Sequence, residues 1–256
     1  WTDFYLVKTN SQGDTLWTHT YGGSNNDQAR SVQQTADGGY VIAGYTYSFG
    51  GGHAFYLVKT NSLGDTLWTR TYQGSGFSYA SSVQQTADGG YVVAGVIWLF
   101  PGSDFIDYLV RTDSLGDTLW TRTYWGSGFS YGSSVHQTGD GGYIVVGSWF
   151  YLVKTNSEGE TLWTRTYGGS ADWASSVDTT ADGGYIVAGT TASFGAGGSD
   201  FYLVGTSGQG DTLWTRTYGG SSDDGASSVQ QTADGGYIVA GTTASFGAGG
   251  GDFYLV

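Results

Sequence analysis

The sequence has no cysteine, no methionine and a single proline in 256 residues. Without cysteine, neither disulfides nor thiolate chemistry is available, and the redox compartment leaves no mark. Positive charge is also scarce: nine Lys and Arg stand against 22 Asp and Glu, for a net charge of −13. Nucleic acid demands clustered cations, so it is excluded as a partner, and an anionic membrane surface is excluded on the same ground. No apolar run approaches the ~20 residues that span a bilayer, and no membrane insertion is expected. No signal peptide is read in this stretch of sequence. The chain opens at Trp1 rather than at an initiator Met, which points to a mature fragment or an excised piece.

What is abundant is glycine, with 46 residues, and aromatics, at 16% of the chain. Disordered chains are poor in aromatics and rich in charge, so this one folds. Thr, Tyr, Val, Trp and Phe favour strands, and no stretch shows a helical apolar period.

A repeat decides the fold class. The Tyr of F-Y-L-V recurs at Tyr5, Tyr56, Tyr108, Tyr151, Tyr202 and Tyr254. The Trp of D/E-T-L-W recurs at Trp17, Trp68, Trp120, Trp163 and Trp214, and the Tyr of D-G-G-Y at Tyr40, Tyr91, Tyr143, Tyr185 and Tyr237. The unit is about 51 residues long, with the third copy shortened, and units of that length with four strands are propeller blades. In the unit from Ser81, strand A is expected over Ser81–Thr86, B over Tyr91–Gly95, C over Tyr108–Thr112 and D over Asp117–Tyr124. Asp-Gly at Asp88-Gly89 marks a tight hairpin turn between A and B. Strands C and D carry apolar groups on both alternating sets, as in Phe55 to Val58 and Leu67-Trp68, and a sheet apolar on both faces needs cover on both. The expectation is an all-β chain forming a single five-bladed β-propeller over residues 1–256. Each blade has four antiparallel strands, and one blade is closed by strands from both termini. Six C strands for five A, B and D strands leave Phe4–Val7 and Phe253–Val256 competing for one place, so the loser frays or pairs with another molecule.

The string T-Y-G-G-S-x-x-D, then S-V-x-x-T-x-D-G-G-Y-I-V-A-G, then D-F-Y-L-V-K-T-N, resembles the SBBP-type propeller repeats of secreted bacterial and archaeal proteins. The strand order is also similar to quinoprotein-like (PQQ) blades, whose outer strand carries a similar L-W. The resemblance implies a propeller on a secreted or cell-surface protein and implies no activity.

Four strands alternating in direction place the A–B and C–D turns at one end of a blade and the B–C and D–A loops at the other. The turns are nearly uniform and the loops differ. The diversified loops carry Tyr45, Tyr47, Phe49, Phe77, Tyr79, Trp98, Phe100, Phe129, Tyr131, Trp149 and Trp173. Aromatics among Ser, Asn and Gly suit recognition of a glycan or a protein. These residues are the candidate binding face, with local loop packing as the rival reading. The turns hold a ring of carboxylates, Asp37, Asp88, Asp140, Asp182 and Asp234 among them, and Asp in a hairpin turn bonds nearby N–H groups. Calcium needs about 6–8 converging oxygens, so no metal is expected, and Asp27, Asp223 and Asp224 are only weak candidates. His19, His53 and His136 fall in no metal spacing. Ser114 to Trp120 is similar to the Asp-box of sialidases, but with Asp117 after Gly116. Nucleophile elbows, phosphate loops and paired unique carboxylates are missing, so no enzyme and no cofactor is expected. The alternative function is a spacer or assembly module, monomeric or a strand-exchanged oligomer.

Overall fold

The computed structural model describes residues 1–49, 52–72, 77–98, 105–124 and 134–256, the Phe105 side chain excepted. The chain falls into two compact units, Trp1–Gly132 and Ser133–Val256. The first holds β1 (Phe4–Thr9), β2 (Thr15–Tyr21), β3 (Asp27–Gln34), β4 (Tyr40–Thr46), β5 (Ala54–Thr60), β6 (Thr66–Tyr72), β7 (Ser78–Gln85), β8 (Tyr91–Trp98), β9 (Phe105–Thr112) and β10 (Thr118–Tyr124). The second holds β11 (Ser134–Gln137), β12 (Tyr143–Gly147), β13 (Tyr151–Thr155), β14 (Thr161–Thr166), β15 (Asp172–Thr179), β16 (Tyr185–Thr191), β17 (Asp200–Thr206), β18 (Thr212–Tyr218), β19 (Asp224–Gln231), β20 (Tyr237–Thr243) and β21 (Asp252–Leu255).

The architecture is the five-bladed β-propeller, with four antiparallel strands to a blade. The complete sheets are β3–β6, β7–β10, β11–β14 and β15–β18, each in sequence order. A two-stranded sheet, β1–β2, and a three-stranded sheet, β19–β20–β21, hold the remaining strands. The terminal C strands do not fray: β1 pairs with β2, with a register shift between Lys8 and Thr9, and β21 pairs with β20 without one.

The strands run longer than their apolar cores suggest. The second complete blade continues its B–C ladder to Trp98↔Phe105, and its A strand begins at Ser78. Residues that read as loop are therefore strand.

The D strand corrects a sequence expectation. Strands B and C of the complete sheets are buried on both faces, as β5 shows throughout. The D-strand leucines are not: Leu16, Leu67, Leu119, Leu162 and Leu213 are all exposed. In each C–D pair the register slips at that leucine, so that Lys59 opposes Trp68 and Thr60 opposes Thr66. The extra residue of a bulge leaves the alternation. Trp68 turns toward the next sheet and Leu67 toward solvent.

Neighbouring sheets within a unit are joined by the same contacts each time. The D-strand Trp meets the next B-strand Tyr edge to face, Trp17 on Tyr40 at 5.7 Å and Trp68 on Tyr91 at 5.6 Å. The C-strand Phe meets the next C-strand Tyr, Phe4 on Tyr56 at 5.2 Å and Phe150 on Tyr202 at 4.8 Å. The last tyrosine of D donates its hydroxyl to a turn carbonyl of the next sheet: Tyr21 to Gly64, Tyr72 to Gly116, Tyr167 to Gly210. A strands have no ladder partner on one side, and side chains answer their N–H groups. Ser31 Oγ and Gln33 Oε1 accept from Val83 and Gln85, and Ser176 and Asp178 accept from Val229 and Gln231. Buried backbone donors require such partners.

Candidate binding site

The turn end of the blades is accounted for by local bonding. Asp37, Asp88, Asp140, Asp182 and Asp234 each accept from the Thr two residues before and from the Gly two residues after. Three of them also meet a buried cation: Lys59 at 2.8 Å, Arg111 at 2.5 Å and Lys154 at 2.8 Å. Hydrogen bonds from Lys59 and Thr35 hold the Asp37 carboxyl down to about 2. A cavity of about 490 Å³ at this end of unit 2 is lined by Asp140 and Lys154, which already satisfy one another.

At the loop end, buried aspartates fix the loops. Asp172 is fully buried and accepts from Thr191 Oγ1, Ala192 N, Ser193 N and Gly169 N. Asp224 accepts from Thr243 Oγ1, Ser245 N and Oγ, and Gly220 N. Asp27 accepts from Gly23 N and Ser48 Oγ, each at 2.7 Å. Asp223 accepts from Ser199 N at 2.9 Å. These carboxylates take N–H and O–H donors, while Asp27 Oδ1 is buried without one. Among the described residues, no group of three His, Asp or Glu gathers as a metal shell.

Five of the sequence candidates come together in unit 1. Tyr45 lies on β4, Tyr79 on β7 and Trp98 ends β8; Tyr47 and Phe77 flank the strands. Between them sits His53. Its ring lies 4.4 Å from Tyr45, 4.5 Å from Tyr47, 5.6 Å from Phe77 and 6.2 Å from Tyr79. Phe77 stacks on Trp98 at 5.4 Å. The His53 carbonyl accepts from Ser78 N and Oγ, and Trp98 N donates to Phe77 O, which closes the cluster from below. Tyr47 and Phe77 present 44% and 41% of their surface to solvent. Burial, and then the charge of Arg30, push the His53 imidazole below its ordinary value, so the ring is neutral at neutral pH. Its Nδ1 is buried without a partner.

Arg30 is the residue the sequence reading missed. Its guanidinium lies 4.7 Å over the Tyr79 ring and 5.7 Å over Tyr45. It occupies the bulge of β3, between Ala29 and Ser31. The bulge residue in β7, β15 and β19 is Ser81, Ser175 and Ser227. A departure from the repeat was therefore visible, though the bulge that aims it was not.

The other candidates lie elsewhere. Phe49 covers Tyr56 at 5.3 Å, as Phe194 covers Tyr202 and Phe246 covers Tyr254. Its part is the packing of its own blade. In unit 2, Trp149 sits at φ 60° in the shortened B–C turn and donates its N–H to Asp172 O. Ser148 bridges Trp173, whose side chain is 44% exposed. Phe100, Phe129 and Tyr131 lie outside the described residues.

No protein-family model and no curated protein matches the sequence. Solved structures do match in fold. A protein of unknown function from Bacteroides caccae superposes with a TM-score of 0.51 at 12% identity, covering 85% of this chain and 94% of that one. BamB from Moraxella catarrhalis gives 0.50 at 14% identity, covering 90% and 64%. The Dos1 propeller gives 0.57 at 13% identity, covering 92% and 55%. The chain thus spans less than two thirds of the length of the last two. At such identities the likeness is one of architecture, and what this chain shares with them is the β-propeller.

Proposed function

We propose that the chain is a non-catalytic recognition module of a secreted or cell-surface protein, and that the loop-end aromatic cluster of unit 1 is its ligand surface for a glycan or a protein. The observation that carries this reading is the gathering of Tyr45, Tyr47, His53, Phe77, Tyr79 and Trp98 at ring distances of 4.4–6.2 Å, with Tyr47 and Phe77 open to solvent. Rigid, amphipathic rings in one patch are what recognition surfaces use. A glycan array and a panel of surface proteins test it with Tyr47→Ala and Phe77→Ala. Each is expected to weaken binding about tenfold or more. Phe194→Ala, an exposed ring that only covers Tyr202, should leave affinity unchanged. A ligand indifferent to both cluster variants removes the site.

An assembly role has its own observation. In unit 1, Tyr5, Val7 and Val32 are exposed beside a cavity of about 210 Å³ that Phe4, Leu6, Tyr21 and Ile42 help to line. In unit 2, Ile238, Phe253 and Leu255 are exposed on the three-stranded sheet. β1 has a D partner and no B partner; β21 has a B partner and no D partner. Each terminal sheet carries the strand type the other lacks. Within one chain such a union makes residues 1–256 a single closed domain; between chains it makes a strand-exchanged oligomer. Light scattering across a concentration series separates them. A constant monomer mass supports closure, and a mass that rises with concentration supports exchange.

A further inference from the structure

We infer that Arg30 selects a sugar bearing a carboxylate, so that the ligand class of the unit 1 cluster is a uronate-containing glycan. This rests on the binding reading above and narrows it.

Three observations mark Arg30. It is the one bulge residue among the described A strands that is not serine, and bulges re-aim side chains next to working sites. It is exposed, and among the described residues it has no carboxylate partner, a property it shares with Lys8, Arg122 and Arg216 but not with the other Lys and Arg. Finally, its guanidinium is held over the faces of Tyr79 and Tyr45. Contact with ring faces spends none of the N–H donors, and an arginine fork grips a carboxylate with two parallel hydrogen bonds.

The surroundings favour a sugar. Tyr47 and Phe77, braced by Tyr45 and His53, present exposed aromatic surface on which the apolar face of a pyranose can stack. Acidic peptide motifs are read by clusters of arginines, and this patch offers a single one. Among the described residues Arg30 is the only Lys or Arg of the cluster, so discrimination between an acid and its ester falls on it.

The test is calorimetric titration with a galacturonic acid hexamer, its methyl ester, a neutral galactose hexamer and a hexaglutamate peptide, on the wild type, Arg30→Ser and Arg30→Lys. Arg30→Ser installs the residue that the sibling blades carry, so the fold is preserved; circular dichroism confirms it. The acid hexamer is expected to bind at least about tenfold more tightly than its ester. Arg30→Ser should abolish that preference while keeping the ester's affinity, and Arg30→Lys should retain only part of it. Equal binding of acid and ester, or a preference that survives Arg30→Ser, overturns this inference and leaves the binding reading standing. Arg30-dependent binding of hexaglutamate with no sugar bound overturns the glycan class. No binding of any probe, together with a negative array, overturns both.

Discussion

The Asp-Gly-Gly turn shows how much one side chain settles. Asp37 takes hydrogen bonds from Lys59 and Thr35 and holds its carboxyl at about 2 against the ordinary 3.8. A carboxyl depressed in the folded state stabilises while charged, so this contribution is full above the ordinary value and fades as the pH drops from about 4 toward 2. Lys59→Met keeps the buried stem filled and removes the ammonium. The Asp37 titration, followed by carbon-detected NMR, is expected to move up toward 3.8. Stability at neutral pH should change by no more than about 1 kcal/mol, because Asp37 is itself 57% exposed. The turn was legible from the sequence, since Asp and two glycines at one offset have few other uses. The role of Asp27, Asp172 and Asp224 was not. They read as acidic loop residues, and only the folded loops show that N–H donors surround them.

Two glycines one strand apart teach different lessons at the scale of the element. Gly89, the first turn glycine, has φ +86° and open space about it. Gly95, within β8, has ordinary dihedrals, yet a Cβ there would overlap the Tyr79 carbonyl oxygen. The cause is the A-strand bulge: Gly95 opposes Ala80, where the register slips past Ser81. Gly89→Ala is expected to cost about 1–2 kcal/mol, and Gly95→Ala more than about 3 kcal/mol or soluble expression itself. Denaturant unfolding of the two variants side by side decides the matter; equal losses would mean that the bulge is not fixed. Hydrophobic alternation located the strands and missed both kinds of bulge. A bulge adds one residue without a signature of its own, so the exposed D-strand leucines and the aim of Arg30 went unread. The candidate site was legible in part. Repeat-to-repeat variation pointed to Tyr45, Tyr47, Phe77, Tyr79 and Trp98, but did not show that Phe49 lies against Tyr56 of its own blade.

At the scale of the whole chain, fold class was legible because the unit is copied almost unchanged and its middle strands need cover on both faces. The cover is made of the same ties in each described junction: Trp on Tyr and Phe on Tyr, with a tyrosine hydroxyl on a turn carbonyl where the next sheet has a D strand. Breaking one hydroxyl tie is expected to weaken its junction alone. Tyr72→Phe, which removes the bond to Gly116 O, should cost about 1 kcal/mol. Hydrogen exchange should rise in β6 and the turn before β10, with β15–β18 unchanged; a uniform rise along the chain would show that the junctions are not independent.

The hydroxyl tie runs always forward, from one copy to the glycine of its successor. Donor and acceptor are both written inside every copy. A gene that slips during replication and gains a copy therefore gains a finished seam with it, and nothing needs to be invented at the join. Such a lineage lengthens its protein in whole steps and leaves selection free to work on the loops, which is where these copies have diverged.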